Sequence, residues 1–425
     1  MFSPPFVACP FCGEIAFGIA VVGRNRYTRR CRNCFRPAGQ EMRFACLLPP
    51  LSKKVIYLDQ MAISNMMKAI HPDTPATTLA KLDPFWLEAY KKLDVVCRLQ
   101  LAVCPSSDFH RRESQLWGEK FEPLREMYRH LSGGVSFADH LTIQRFQVEA
   151  RLLSTLTGDP FDSGHPAACS VFYGEVHGWW NRVRISVNLN YDPAWIEEYA
   201  ANRERVRTGL ESIFARWRSD KHKSFDDWYR EEAAAFGPSI FQAYQRRVAG
   251  ILAARLHGQA ITLDDLMDWA TTVMTTLRSI CIEHGVSAAD VPTYIREYLH
   301  SDAILELPFN RISSLIWAAI ARKAAAGQKA PPNEGMATDV DLISCHLPYC
   351  DAMFVDNACR AYLAEEPVAG RLGYNTRIYS QRTIGEFLAY LDEIRNAPPP
   401  YVVECAKDLY GPDCEEPFTE LYARR

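Results

Sequence analysis

Two pairs of cysteines near the amino terminus have the spacing of a metal site. The first pair is Cys9-Pro-Phe-Cys12 and the second is Cys31-Arg-Asn-Cys34, with eighteen residues between the pairs. Each Cys-x-x-Cys turn can place two thiolates on one ion, and two such turns complete the tetrahedral shell that Zn²⁺ prefers. The spacing therefore predicts one structural Zn²⁺ bound by these four cysteines.

The cysteine segment, which resembles a zinc ribbon over residues 9–34, is rich in arginine. Thirteen consecutive residues without an acidic side chain contain six arginines: Arg24, Arg26, Arg29, Arg30, Arg32 and Arg36. Tyr27 and Phe35 lie among them. Guanidinium groups bind phosphate oxygens in pairs, and aromatic rings stack on bases. The segment is therefore predicted to contact nucleic acid, and a solvated hairpin face or a protein contact is the alternative.

Acidic residues end two predicted strands in the rest of the chain. Asp59 follows the apolar run 55–58, which is too short for a helix and is typical of a strand buried in a parallel sheet. Asp356 follows the run 352–355 in the same way. Open α/β sheets have their sites at the carboxyl ends of the strands. Both residues are therefore candidate catalytic residues, and helix capping is the alternative for each.

Further acids lie near predicted helix starts. After a second predicted strand at 101–104, a Pro-Ser-Ser turn leads to Asp108, His110 and Glu113. Residues 338–357 contain four aspartates: Asp339, Asp341, Asp351 and Asp356. Of these, Asp341 is expected to begin a helix. His110 is a candidate contact for a nucleic-acid phosphate, and simple packing is its alternative.

Convergence of these carboxylates would create a cation site. Acids in a small space repel each other, and some stay protonated unless a cation neutralises them. Oxygen ligands with open positions suit Mg²⁺ or Mn²⁺. Such ions activate water and offset the charge on a leaving phosphate oxygen.

The order of these elements resembles that of the PIN-like nuclease domains. The resemblance covers about residues 53–115 and 336–395, and segment 338–357 is the closest match. It implies a parallel sheet that gathers acids at one edge, where they bind divalent metal and hydrolyse RNA. The implied catalytic residues are Asp59, Glu113, Asp341 and Asp356, with Asp351 as a further ligand or its partner and Asp108 competing with Glu113. Of these, Asp59, Asp341 and Asp356 would bind Mg²⁺ or Mn²⁺.

Strand–helix alternation at both ends of a long helical middle predicts one α/β domain with an insertion. The expected divisions are a zinc ribbon (1–50), the first part of a PIN-like domain (51–115), a helical insertion (116–335), the second part of the PIN-like domain (336–398) and a tail (399–425). The insertion is a candidate substrate-gripping cap.

Composition predicts an ordinary globular protein with a sizeable core. Of its 425 residues, 48% are apolar and 23% are charged, and the net charge is −3, so any basic surface is local. No signal peptide or apolar run of membrane-spanning length is apparent, so we expect a cytoplasmic protein without a membrane partner. In a reducing compartment, its fourteen cysteines would be metal ligands or buried side chains.

These patterns and the resemblance lead to one functional hypothesis and two alternatives. The hypothesis is a Mg²⁺- or Mn²⁺-dependent nuclease, most simply a ribonuclease, whose zinc ribbon helps to bind nucleic acid. The first alternative is a catalytically inactive nucleic-acid-binding or assembly module, and the second is a phosphohydrolase for a small substrate. A protein partner or a homo-oligomer is left open. A role as a toxin or in phage defence follows only from the habits of the PIN-like family.

Overall fold

The structure, a computed structural model, describes most of the chain. The described residues are 3–22, 26–35, 46–115, 121–161, 171–180, 193–260, 268–333 and 335–423. Arg24 and Arg36, two of the predicted nucleic-acid contacts, lie outside them. Among the described helices, none is both long enough and apolar enough to cross a membrane.

The amino-terminal segment forms an antiparallel sheet. Its strands are β1 Ser3–Ala8, β2 Ile15–Val22, β3 Arg26–Cys31 and β4 Cys46–Leu47, in the order β1-β2-β3-β4. The first cysteine pair lies in the turn between β1 and β2, and the second lies at the end of β3. Phe17 packs with Cys9 and Cys31, so the small apolar core of this sheet is centred on the cysteines.

A second, parallel sheet forms the centre of the molecule. The remaining strands are β5 Lys54–Leu58, β6 Ala102–Val103, β7 Ser136–Phe137, β8 Phe172–Tyr173, β9 Ala352–Phe354 and β10 Arg377–Tyr379. Of these, β7 and β8 form an antiparallel pair, and the other four form a parallel sheet in the order β10-β9-β5-β6. The predicted α/β class, with a parallel sheet and a small amino-terminal sheet, is confirmed.

Helices cover both faces of the parallel sheet. The α-helices are α1 Gln60–Ile70, α2 Ala76–Leu79, α3 Phe85–Arg98, α4 Asp108–Gln115, α5 Phe121–Ser132, α6 His140–Thr157, α7 Pro193–Ser219, α8 Phe225–Leu256, α9 Trp269–Glu283, α10 Val291–Leu299, α11 Pro308–Ala325, α12 Gly335–His346, α13 Asn357–Leu363, α14 Val368–Leu372, α15 Ile384–Asn396 and α16 Val402–Tyr410. Side chains alternate along β5: Ile56 and Leu58 pack with α1, α3 and α15, whereas Val55 and Tyr57 pack with the core that α6 and α8–α14 share. Each strand is therefore buried on both faces, as its continuous apolar run predicts.

Two element boundaries differ from the sequence prediction. Helix α12 begins at Gly335, so Asp341 lies in its middle and does not begin it. The predicted tail contains a further helix, α16, whose Val402, Ala406 and Leu409 are buried. Both differences arise from burial, because α12 and α16 each pack an apolar face that short sequence windows do not reveal.

Candidate active site

Asp59 and Asp356 lie at the carboxyl edge of the two central strands. The parallel register pairs Leu58 of β5 with Phe354 of β9, and the Asp59 amide donates to the Phe354 carbonyl at 2.9 Å. The chain leaves β5 towards β6 on one side and leaves β9 towards β10 on the other. This is a topological switch point, where diverging loops leave a crevice that can bind a ligand.

Asp59 occupies a helix-capping position but does not cap. Its backbone is extended (φ −63°, ψ 153°), yet the side chain makes no capping hydrogen bond to α1. Burial raises the pKa of Asp59 to about 6, the Gln60 amide opposes this rise, and the Asp356 carboxylate adds to it. Asp356, in contrast, caps α13 by accepting from the Cys359 amide at 2.5 Å.

The third acid of this group is Asp339, and the prediction of Asp341 is wrong. Burial raises the pKa of Asp339 to about 8, and the charges of Asp59, Asp356 and Glu113 raise it further. Asp341 lies two positions along α12, about 200° around the helix. It shares a face with Cys345, whose sulfur contacts α6, and its pKa of about 6 reflects burial alone.

Glu113 fits the second acid position, and Asp108 does not. The charge of Glu113 raises the pKa values of Asp339, Tyr57 and Tyr128, and the charge of Asp59 acts on the same three groups. Asp108 is buried and forms ion pairs with Arg111 and Arg112. The carboxylate of Asp108 is thus neutralised within its own helix, α4.

Asp351 lies at the opposite edge of the sheet, so its predicted role at the acid site is wrong. It precedes β9, and its carboxylate accepts from the Val55 amide at 2.9 Å and pairs with Lys54 at 2.8 Å. Both partners are at the amino end of β5. The five residues from Asp351 to Asp356 span about 16 Å in an extended strand, so Asp351 cannot share their site.

His110 is a structural residue, which contradicts its predicted contact with nucleic acid. The side chain is 2% exposed and stacks between the rings of Tyr57 and Tyr128. Its Nδ1 accepts from the Ser107 amide, so Nε2 carries the proton and donates to the Leu58 carbonyl at 2.7 Å. Burial lowers the pKa of His110 to about 4. The neutral ring therefore fixes the end of β5 immediately before Asp59.

Gln60 contributes a buried amide beside Asp59. Its Oε1 accepts from the Tyr128 hydroxyl at 2.5 Å and from the Ser114 hydroxyl at 3.3 Å, whereas its Nε2 is buried without a hydrogen-bond partner. Ser114 is the neighbour of Glu113, so this network ties the start of α1 to α4 and α5. A buried donor without a partner is costly and marks a position where a ligand can supply one.

The sequence analysis missed Cys359, whose thiol lies among the acids. The Cys359 sulfur and carboxylate oxygens of Asp339 and Asp356 lie within 4.8 Å of one another, a group that could bind a metal ion. Burial raises the pKa of Cys359, and the two carboxylates raise it further. The signal was the spacing of Asp356-x-x-Cys359 in the first turn of a helix, where residues i and i+3 are neighbours.

The four amino-terminal cysteines form a second cluster that could bind a zinc ion. Their sulfurs lie within 4.8 Å of one another, with Cys9 3.8 Å from Cys34 and Cys12 3.7 Å from Cys31. A tetrahedron with Zn–S bonds of about 2.3 Å has edges of about 3.8 Å. Backbone amides, first that of Cys34, lower the pKa of Cys31 to about 7. The sulfurs are therefore positioned and polarised as thiolate ligands.

The described arginines of this segment divide between packing and solvent. Arg29 is half-buried and donates to the Asp408 carbonyl at 2.7 Å, beside the Tyr27 hydroxyl, which donates to the Asp408 carboxylate at 3.2 Å. Arg29 therefore holds the antiparallel sheet against α16, in place of its predicted contact with nucleic acid. Arg30 is half-buried, whereas Arg26 and Arg32 are exposed.

Comparisons with protein-family models, with curated proteins and with solved structures found no match to this chain.

Proposed function

We propose that the protein is a divalent-metal-dependent nuclease with a PIN-like α/β core, and that RNA is its preferred substrate. The observation that carries the proposal is the group of Asp59, Glu113, Asp339 and Asp356 at the switch point of the parallel sheet. Their charges act on one another strongly enough to raise the pKa of Asp339 to about 8. A purely structural role gives no reason to gather four acids in a half-buried crevice.

The donor set fits Mg²⁺ or Mn²⁺. Carboxylate oxygens are the ligands these ions prefer, and a cation relieves the repulsion that raises the acid pKa values. Asp59, Asp339 and Asp356 would hold the ion, with Glu113 at its side. A divalent cation bound there supplies an activated water and neutralises charge on a phosphodiester. The protein supplies an anchored strand end, through His110, and a free amide donor, Gln60 Nε2.

Asp339→Asn and Asp341→Asn form a matched pair for testing this function. Both aspartates are half-buried in α12 and both have raised pKa values. Cleavage of labelled single-stranded RNA, single-stranded DNA and a small phosphoester is measured while Mn²⁺ is titrated. We expect Asp339→Asn to reduce cleavage at least 100-fold, because it removes an acid of the cluster, and Asp341→Asn to keep activity within about threefold of wild type.

Each other outcome has a definite meaning. No cleavage of any substrate by the wild-type protein, together with intact RNA binding, would support the inactive binding module. Cleavage of the small phosphoester alone would support a phosphohydrolase. Equal loss in both variants would mean that the acid group is not the site.

We further propose that the amino-terminal sheet is a zinc ribbon that binds Zn²⁺ through its four cysteines and contacts RNA phosphates through exposed arginines. Replacing Arg26 and Arg32 by Ser should weaken RNA binding and reduce the salt slope by about 0.7 for each lost phosphate contact on a single strand. Arg29→Ser is the control, because Arg29 is engaged with Asp408 and its loss should leave the slope unchanged. An unchanged slope in the Arg26/Arg32 variant would assign the ribbon to protein contacts.

A further inference from the structure

The acid site contains a sulfur atom that the chemistry of Mg²⁺ does not use. Cys359 is 3% exposed, its amide donates to Asp356, and its sulfur is one corner of the group formed with Asp339 and Asp356. The Met336 sulfur lies 4.0 Å from the Cys359 sulfur on the side of α12. Two sulfur atoms therefore border the carboxylates in the interior of the crevice.

The distances are those of ligands around one ion. A carboxylate oxygen at about 2.1 Å and a sulfur at about 2.3 Å from one metal lie at most about 4.4 Å apart. The three ligand atoms already lie within 4.8 Å of one another, so small side-chain movements would bring them onto one ion. The nearby Gln60 Nε2, buried and without a partner, is a separate sign that this crevice is built to receive a ligand.

The chemistry of the three ligands favours a particular class of cation. Mg²⁺ requires oxygen ligands and rejects sulfur, whereas Zn²⁺ binds carboxylate and thiolate together. A thiol that binds a metal ion gives up its proton to solvent, so coordination costs no other reactant.

We propose that Cys359 is the third ligand of the acid site, and that its sulfur makes this site select Zn²⁺ over Mg²⁺. The inference rests on the divalent-metal site of the proposed function and adds its regulation. Zinc displaces the catalytic Mg²⁺ or Mn²⁺ at concentrations far below those of Mg²⁺, and so inhibits the enzyme. The amino-terminal cysteines are a separate site that is already filled with zinc in this competition.

The test is a metal competition on the full-length protein with its amino-terminal cysteines loaded with zinc. Mn²⁺ is bound first, and free Mn²⁺ is followed by electron paramagnetic resonance while Zn²⁺ or Mg²⁺ is added. We expect Cys359→Ser and Cys359→Ala to raise the Zn²⁺ concentration that releases half of the Mn²⁺ by about tenfold or more. The Mg²⁺ concentration should change by less than about threefold, because Mg²⁺ makes no use of the sulfur. Cys281→Ser, a buried cysteine of α9, is the control and should behave as wild type.

A second readout detects the sulfur–metal bond directly. Co²⁺ bound at the site should show a thiolate-to-metal charge-transfer band in the wild-type protein and in Cys281→Ser, and no such band in either Cys359 variant. An unchanged ratio of Zn²⁺ to Mg²⁺ in folded Cys359 variants, or an unchanged Co²⁺ band, overturns the inference. If the wild-type protein binds no more Mn²⁺ than Asp339→Asn does, the proposed metal site itself fails.

Discussion

At the scale of single residues, Asp59 and Asp139 show that an identical backbone does not imply an identical role. Both residues precede a helix with nearly the same conformation, φ −63° and ψ 153° for Asp59 and φ −63° and ψ 152° for Asp139. The Asp139 carboxylate accepts from the Thr142 amide at 3.0 Å. The Asp59 carboxylate makes no such bond and is subject to the charge of Asp356. Only Asp139 therefore stabilises its helix as a cap.

The two aspartates should respond in opposite ways to replacement by Ala. Asp139→Ala should lower the free energy of unfolding by about 1 kcal/mol, since it removes a cap. Asp59→Ala, in protein without divalent metal at the acid site, should leave this free energy unchanged or raise it, because a repelled and half-buried charge is lost. Denaturant melts of both variants measure the difference. A loss of stability in Asp59→Ala as large as that in Asp139→Ala would identify Asp59 as a cap.

At the scale of elements, one glycine sets the distance between two helices. Gly237 lies in α8, and a Cβ atom built on it would lie 1.7 Å from the Leu299 carbonyl oxygen at the end of α10. Because that atom belongs to the backbone, the contact cannot be relieved by a side-chain rotation. Gly250, in the same helix, has no atom within 4 Å of the corresponding position.

These two glycines give a matched test of the helical packing. Gly237→Ala should destabilise the protein by about 1–3 kcal/mol or more, since α8 and α10 must separate. Gly250→Ala should stabilise it by about 0.5–1 kcal/mol, because Ala has the higher helix propensity. Thermal or denaturant unfolding of the two variants checks both values. A neutral Gly237→Ala would show that the two helices do not approach so closely.

At the scale of the whole molecule, buried titratable groups pull stability in opposite directions with pH. Asp59 and Asp339 have raised pKa values, so the folded protein keeps their protons to higher pH than the unfolded chain does, and stability falls as pH rises above 3.8. His110 has a pKa lowered from 6.5 to about 4, so stability rises with pH across that range and is constant above 6.5. Above pH 6.5 only the effect of Asp339 remains among these three groups.

Between pH 6.5 and 8, wild-type protein without divalent metal at the acid site should lose stability relative to Asp339→Asn. The slope should reach up to about 1.4 kcal/mol per pH unit, the value for one proton. Mn²⁺ should abolish the slope in wild type, because a bound cation keeps Asp339 ionised. Urea melts at several pH values provide the measurement. Parallel profiles for the two proteins would show that Asp339 is not protonated in this range.

The sequence by itself determined the local elements and the chemistry near them. An apolar run of four residues was enough to predict β5 and to position Asp59 at its carboxyl end. The two Cys-x-x-Cys pairs were enough to predict the cysteine cluster. Asp351 could also have been excluded from the sequence, because it precedes β9 and therefore lies at the amino end of a parallel strand.

Only the tertiary structure decided which side chains meet. The choice between Asp339 and Asp341 depends on the rotation of α12 about its axis, which its packing against α6 fixes. The burial of His110 between Tyr57 and Tyr128, and the engagement of Arg29 with Asp408, join segments far apart in the chain. Sequence periodicity shows which residues share a face of an element, but the partner of that face is set by the packing of distant elements.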